Sequence, residues 1–155
     1  MKKTTSRNGF TLIELIIVMV ILGIMAAVAV PRYLDSIANA EESAEDAVIS
    51  AVRNGLKQYA NNSLLDKGRA TWPTDPFSAL SEKPAGHTND GDLADTDGEW
   101  TFIDNMDGTG QITHQRADNS RYTWDYDSGT QEDDDADTAQ IGSLGPRVNV
   151  GEEAV

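Results

Sequence analysis

Apolar residues form one long uninterrupted stretch near the N-terminus, over residues 10–30. Glu14 is the only ionisable side chain within that stretch. A helix needs about 20 predominantly apolar residues to cross a bilayer, and this stretch is long enough. A carboxylate inside a membrane span is costly and by default marks a functional position that requires a partner. The pattern therefore predicts a membrane-spanning helix with a functional acid near its start.

After residue 33 the pattern changes to that of a helix with one buried face. Small and apolar residues recur there at three- and four-residue steps, whereas charged residues, Glu45 among them, fall between these positions and are expected to face water. The recurring positions are Leu34, Ile37, Ala38, Ala44, Ala47, Val48, Ala51, Val52, Leu56 and Tyr59. The two stretches predict one helix over residues 10–59. Pro31 is expected to kink or open this helix, and Gly23 to weaken it.

Residues that favour turns and strands dominate after residue 61. A short helical piece is predicted at residues 77–80, and Asp75 is expected to start it, with Pro76 at the first helical position. Runs rich in Thr, Ile, Tyr, Trp and Phe predict three antiparallel strands. These strands cover residues 99–103, 110–116 and 120–126. Their aromatic residues alternate with polar ones, so one face of the sheet can cover the apolar stripe of the helix. The predicted fold class is α+β.

The chain is strongly acidic, with 26 Asp and Glu residues against 12 Lys and Arg and a formal net charge of −14. Such a balance argues against nucleic-acid binding, which requires a basic surface. Lys2, Lys3 and Arg7 precede the apolar stretch with no acid among them, and positive residues are enriched on the cytoplasmic side of membrane helices. We therefore expect a single pass through the cytoplasmic membrane, with the N-terminus in the cytoplasm and the remainder exported.

The junction Gly9-Phe10-Thr11-Leu12-Ile13-Glu14 resembles the start of the mature sequence in the type IV pilin and pseudopilin family. The resemblance implies a precursor that a membrane prepilin peptidase cuts between Gly9 and Phe10, and N-methylation of the new Phe10 amine. It also implies that the Phe10 amine of the same or a neighbouring subunit neutralises Glu14 during assembly and so sets the axial register. The segment from Gly23 to Pro31 is then a candidate for losing helical structure in the filament.

The same resemblance divides the chain into four parts and implies its partners. The parts are a leader at residues 1–9, a transmembrane and filament-core helix at 10–30, an exported amphipathic half-helix at 31–60, and a small acidic pilin-like domain at 61–155. The implied partners are further copies of the chain in a helical filament, the prepilin peptidase and an inner-membrane assembly platform. The filament would be either a type IV pilus at the cell surface or a short periplasmic pseudopilus of type II secretion. Residues 72–84 resemble a loop of major pseudopilins, but the later proline- and tryptophan-containing motif of those proteins is absent.

Three alternatives remain open at this point. Ala27-Val28-Ala29 offers a signal-peptidase site, but the apolar run exceeds the about 7–15 residues of a signal peptide. A plain membrane anchor explains the run, but neither Glu14 nor the abrupt boundary at Gly9 and Phe10. The chain could also be an acidic binding module, anchored or secreted, such as a minor tip subunit or a displayed domain. Tip subunits often lack the buried acid, so Glu14 favours a subunit of the filament body.

Acidic residues are densest between residues 90 and 137, and this region is a candidate site for calcium. Hard cations prefer several oxygen ligands on flexible loops, and the candidates here are Asp125, Asp127, Asp133 and Asp135. No segment matches the EF-hand pattern, and blocks of like charge are usually solvated. Major pseudopilins, which the chain resembles, carry a calcium site in their C-terminal loop. Because the chain has no cysteine, a cation or another device must order the C-terminal region.

Motifs for catalysis are missing from the sequence. There is no cysteine nucleophile, and His87 and His114 lie in no serine-elbow or metal-ligand pattern. No phosphate-binding loop is present either. We therefore expect the chain to be a substrate of processing machinery and not an enzyme, with no cofactor beyond the hypothetical calcium.

Overall fold

The computed structural model describes residues 9–129 and 141–150, which form helix α1, one 3-10 helix and four strands. Helix α1 covers Leu12–Lys67 and the 3-10 helix covers Pro76–Ala79. The strands are β1 (Trp100–Asp104), β2 (Thr109–Gln115), β3 (Arg121–Asp127) and β4 (Val148–Asn149). The chain divides into two compact units, one ending at Ser43 and the other beginning at Ala44. The α+β fold class predicted from the sequence is confirmed.

The first unit is helical from Leu12 onward and exposes its apolar side chains. Among the described residues, α1 is the one helix that is long and apolar enough to cross a membrane, judged by length and composition. The backbone is helical at Gly23 and at Pro31, so the helix assignment runs through both residues. The kink predicted at these two positions remains a prediction.

Helix α1 ends at Lys67, about two turns beyond the end that the hydrophobic pattern predicted. The last turns persist because Ala60 and Ser63 are buried, so tertiary contacts override the weak helix propensity of the asparagines between them. Gly68 then stops the helix with a left-handed φ of 74°, and its N–H donates to the carbonyl oxygen of Leu64 at 3.0 Å. This is the usual glycine termination of a helix, and Gly68 was its signal in the sequence.

The second unit contains a four-stranded antiparallel sheet with the strand order β1-β2-β3-β4. The first three strands lie within one residue of their predicted bounds, so those predictions are confirmed. Strand β4 was not predicted, because two residues are too short to show an alternating pattern. Pairing of Tyr122 with Asn149 and of Thr123 with Val148 adds β4 to the edge of β3.

The core of the second unit forms where α1 meets the aromatic face of the sheet. Its buried members are Ile49, Val52, Leu56, Phe77, Trp100, Ile112, Trp124, Tyr126 and Leu144. The rings of Trp100 and Trp124 stack with centroids 5.7 Å apart. The aromatic face of the sheet therefore packs against the helix as predicted, but the predicted stripe itself was largely wrong. Of its ten positions only Val52 and Leu56 are buried. The buried residues of α1 include Glu45, Ile49, Val52, Leu56, Ala60 and Ser63. The burial of aromatic rings is the main stabilising contribution available to a domain of this size.

Around Thr101 and Thr113, the opposite face of the sheet is also shielded from water. Thr101 and Thr113 are fully buried there, and their hydroxyl oxygens lie 2.7 Å apart. The loop before β1 covers them, since the Ala94 amide donates to Thr113 Oγ1 at 2.8 Å and Thr101 Oγ1 donates to the Asp92 carbonyl at 2.6 Å. Polar side chains on this face are thus satisfied internally, as buried polar groups must be.

The 3-10 helix begins as the sequence predicted. Asp75 is its N-cap and accepts a hydrogen bond from the Phe77 amide at 2.8 Å, with Pro76 at the first position. Gly55 of α1 lies so close to this element that a Cβ there would be 2.7 Å from the Ala79 carbonyl oxygen. The absence of a side chain at Gly55 therefore sets the distance between α1 and the 3-10 helix.

Candidate functional site

The predicted processing junction lies immediately before helix α1. Gly9, Phe10 and Thr11 are outside the helix, and the Phe10 side chain is 91% exposed. Thr11 occupies the N-cap position, and Glu14 is the third residue of the helix. The bond between Gly9 and Phe10 is thus in exposed, non-helical chain.

Thr11 and Glu14 form a reciprocal capping box at the start of α1. The Thr11 amide donates to Glu14 Oε2 at 2.8 Å, and the Thr11 hydroxyl donates to the same oxygen at 2.7 Å. The Glu14 amide in turn lies 3.3 Å from Thr11 Oγ1. These bonds satisfy amide groups that have no partner within the helix, and they place a negative charge at its positive end.

The capping box gives Glu14 a local role that the sequence interpretation missed. The signal was present as Thr11-x-x-Glu14 ahead of an apolar run. The amide and the hydroxyl of Thr11 both donate to Oε2, so Oε1 is the second acceptor that the carboxylate offers. The predicted pairing of Glu14 with a Phe10 amine remains a prediction beside this observed contact.

A second polar site lies inside the second unit, around Glu45. The sequence interpretation expected Glu45 to face water, and this was wrong: its side chain is 0% exposed. Arg116 donates from Nε to Oε1 and from Nη2 to Oε2, both at 2.6 Å. His114 Nδ1 lies 2.9 Å from Oε1, and Arg147 Nη1 donates to Oε2 at 3.0 Å. We call these four residues the Glu45 cluster.

The electrostatics of the Glu45 cluster favour the charged carboxylate. Burial by itself raises the pKa of Glu45, but hydrogen bonds and attraction from Arg116 and His114 outweigh it and lower the pKa to about 2. The Arg116 guanidinium also lies over the Tyr122 ring, 4.0 Å from its centroid. The helix period did carry a signal that the sequence interpretation missed, since Glu45 stands four residues before Ile49 and seven before Val52, on the face that is buried. Nothing local identifies the partners of Glu45.

The candidate calcium ligands are only partly within the described residues. Asp125 is exposed, and its Oδ1 accepts from Gln111 Nε2 at 2.9 Å. Asp127 is buried, and its Oδ1 accepts from the Gly129 amide at 2.7 Å. Asp133 and Asp135 lie outside the described residues. Within residues 9–129 and 141–150, no three acidic, histidine or cysteine side chains are grouped as metal ligands, so calcium stays a prediction.

The two histidines occupy packed positions in the second unit. His114 stacks on Trp100 with centroids 4.2 Å apart and binds Glu45. His87 packs edge-on against Phe77 at 4.6 Å, and its Nε2 atom is buried without a hydrogen-bond partner among the described residues. The contacts of both rings are those of side chains that hold the core together.

An exposed apolar helix with a capped acid at its start, together with a small antiparallel sheet packed on the later turns of the same helix, defines a pilin-like protein. Residues 4–30 match the family model of the prokaryotic N-terminal methylation motif. The chain is 38% identical over 98 residues to the major component of the narrow type IV pilus of Thermus thermophilus, covering 63% of this chain and 72% of that protein. This chain belongs to the type IV pilin family.

Further relatives agree with this assignment. The type IV major fimbrial protein of Dichelobacter nodosus is 35% identical over 127 residues, which are 82% of this chain and 71% of the relative. The type IV major pilin of Neisseria gonorrhoeae is 45% identical over 75 residues, which are 48% of this chain and 41% of the relative. The chain thus spans less than half the length of that pilin. No solved structure gives a significant match to the chain.

Proposed function

We propose that this chain is a structural subunit of a type IV pilus, made as a precursor, cleaved between Gly9 and Phe10, and assembled through helix α1. The observation that carries the proposal is the exposed apolar half of α1, which begins directly after that bond and carries Glu14 as its one acid. Membership of the type IV pilin family supports a pilus over a secretion pseudopilus. The chain is then a substrate of the processing enzyme, and no catalytic role is assigned to it.

Processing at Gly9 is supported by the position of the bond. A peptidase must bind its substrate backbone in an extended form, and residues 9–11 are not helical. Gly9 also has open space around it, with nothing within 4 Å of the place where a Cβ would be. Cleavage creates an amine at Phe10, one helical turn before Glu14, and this amine is the site assigned to N-methylation.

Assembly requires the apolar half of α1 to exchange lipid for other helices. Lipid tails are as apolar as the side chains of the helix, so the exchange rests on close packing and on polar contacts. Glu14 supplies the polar contact: a charged Phe10 amine from the same or a neighbouring subunit pairs with its carboxylate, whose charge would otherwise be buried without a counter-ion. An inner-membrane platform would bring the subunits together.

A matched pair of variants separates the two roles of Glu14. Glu14→Gln keeps an oxygen that can accept from the Thr11 amide but removes the charge that attracts the Phe10 amine. Thr11→Val removes the hydroxyl of the capping box but keeps the charge. We expect both precursors to be cleaved, and we expect Thr11→Val to form filaments while Glu14→Gln does not. Intact mass and N-terminal sequencing measure cleavage, and negative-stain microscopy measures filament number and length.

Each result has a defined meaning. Normal filaments from Glu14→Gln together with few filaments from Thr11→Val would show that Glu14 acts as a helix cap, and would refute the charge pairing. A mature protein that begins elsewhere than Phe10 would refute processing at Gly9. Short filaments confined to the periplasm would assign the chain to a pseudopilus. A processed protein found only at filament tips would assign it to a minor subunit or displayed binding module.

A further inference from the structure

The second unit, which begins at Ala44, would lie outside the membrane under the proposed function, and we call it the exported unit. The C-terminal segment, defined as residues 141–150, is attached to the rest of this unit at two separate anchors. At the first anchor Leu144 is buried in the core, and Arg53 of α1 donates to the Gly145 carbonyl oxygen at 3.2 Å. The Gly145 amide donates to the Asp125 carbonyl oxygen at 2.8 Å. This anchor combines apolar burial with backbone pairing and does not include Glu45.

The second anchor lies at the other end of the segment. Arg147 donates to the Glu45 carboxylate at 3.0 Å, and directly after it β4 pairs with β3. The Val150 amide donates to the Arg121 carbonyl oxygen at 3.0 Å. The β4 pairing is only two residues long, and so short a ladder has little stability of its own. The side-chain contacts of Arg147 add to this short ladder: its guanidinium binds Glu45 and lies 5.5 Å from the centroid of the Tyr122 ring.

The charges around Glu45 come from several elements. The titratable and charged side chains of the cluster and its margin are His114 from β2, Arg116 directly after β2, Arg147 from the C-terminal segment, Asp46 beside Arg147 on α1, Tyr122 from β3, and Asp118 near Arg116. Two guanidinium groups thus share one buried carboxylate. The negative charge of Glu45 offsets the repulsion between the two guanidinium groups. Loss of either ion pair therefore changes the electrostatic energy of the other.

The side chains of the two arginines differ in how easily they can move away from Glu45. The Arg116 side chain is 6% exposed and follows directly after β2, whereas the Arg147 side chain is 25% exposed and lies at the edge of the unit. Arg147 can turn into water without opening the core, and Arg116 cannot. If the attraction to Glu45 is weakened, Arg147 and its segment are therefore released before Arg116.

We propose that Glu45 and Arg147 form an electrostatic latch that fastens residues 147–150 to the exported unit, so that this end opens and closes independently of the anchor at Leu144 and Gly145. The latch takes the place that a covalent link would have in a chain with cysteines. Its anion stays charged at all but strongly acidic pH, because the cationic partners lower the pKa of Glu45 to about 2. The latch is consequently closed through neutral and mildly acidic conditions.

Amide hydrogen exchange on the full chain in detergent micelles tests the latch. The Val150 amide reports on the latched end, and the Gly145 amide reports on the other anchor within the same segment. Arg147→Met keeps the aliphatic stem and removes the charge. We expect it to raise the exchange rate of the Val150 amide about tenfold, the effect of losing one charge-assisted hydrogen bond, and to leave the Gly145 amide within about twofold.

Three further variants serve as controls. Arg147→Lys keeps the charge and is expected to retain most of the Val150 protection. Asp46→Asn alters the exposed carboxylate 3.7 Å from Arg147 and is expected to change neither amide by more than about twofold, as for a surface ion pair. Arg53→Met is expected to raise the exchange rate of the Gly145 amide more than that of the Val150 amide.

The latch is overturned if Arg147→Met raises both exchange rates by the same factor, because the segment would then open as one piece. It is also overturned if neither rate changes, or if the Val150 amide exchanges as fast in Arg147→Lys as in Arg147→Met. The amides of the β1–β2 ladder belong to neither anchor and reveal whether each variant is folded, so general unfolding cannot be mistaken for opening of the latch.

Discussion

Replacing Glu45 by glutamine removes the buried charge with little change in shape, and its effect on stability follows from the geometry of the cluster. The pKa of Glu45 falls from an ordinary 4.5 to about 2 in the folded chain. At about 1.4 kcal/mol per pKa unit, the charged form contributes about 3 kcal/mol at neutral pH. Removing one partner of a buried ion pair typically costs about 3–5 kcal/mol. We therefore expect Glu45→Gln to lower the free energy of unfolding by about 3 kcal/mol at pH 7.

The pH dependence gives an independent check on the same group. The folded-state pKa lies below the unfolded value, so the contribution is fully present above pH 4.5 and is lost as the pH falls towards 2. Wild type and Glu45→Gln should thus differ most above pH 5 and converge in acid. Hydrogen bonds from the Asp95 amide to Glu99 and from the Ser120 hydroxyl to Asp118 also lower the pKa values of those two acids. Only the difference between the two curves isolates Glu45.

Urea titration of the full chain in detergent, followed by tryptophan fluorescence, measures these differences, because Trp100 and Trp124 are buried in the core of the exported unit. Asp46→Asn is the matched control, since it removes a neighbouring carboxylate that is 70% exposed. The reasoning is refuted if Glu45→Gln stays within about 1 kcal/mol of wild type at pH 7, the range of surface ion pairs. It is also refuted if the two stability curves remain parallel down to pH 3.

Three further predictions concern other parts of the exported unit. Gly55→Ala should lower the urea midpoint although alanine favours helices by about 1 kcal/mol, because its Cβ would meet the Ala79 carbonyl oxygen at 2.7 Å. Burial and the nearby Lys83 lower the pKa of His87, so wild type should lose stability as the pH falls below 6.5, and His87→Phe should lose less over the same titration. If calcium binds near Asp125, Asp127 and the adjacent acidic residues, the thermal midpoint should rise with millimolar calcium; an identical midpoint in chelator would contradict it.

The parts of the fold that the sequence could predict are those decided by near neighbours. The bounds of three strands and the Asp75 cap depend on residues a few positions apart, and they are confirmed. The burial of Glu45 depends on His114 and Arg147, which are 69 and 102 positions away. A helix period cannot identify partners at such distances. The spacing of Glu45 from Ile49 and Val52 does place it on the buried face, and the predicted stripe missed this because it left Ile49 out.

The N-terminal site shows the converse case. The capping box of Thr11 and Glu14 is local and could have been found from the spacing of the two residues. Because acids are rare in membrane spans, Glu14 was instead interpreted as the partner of a Phe10 amine from the same or a neighbouring subunit. Both roles use one carboxylate, and the sequence by itself does not separate them. The extension of α1 to Lys67 was missed because burial of Ala60 and Ser63 is a tertiary effect.

The separation of 102 positions between Glu45 and Arg147 also bears on the order of events during biosynthesis. At about 5–20 residues per second, Arg147 is polymerised about 5–20 s after Glu45. Until Arg116 is made, the carboxylate has to stay hydrated, and the Glu45 cluster is incomplete until Arg147 follows. Since the chain has no cysteine, completing the cluster needs neither an oxidant nor a disulfide isomerase. Completion of the Glu45 cluster therefore waits for residue 147 and is indifferent to the redox state of the surrounding compartment.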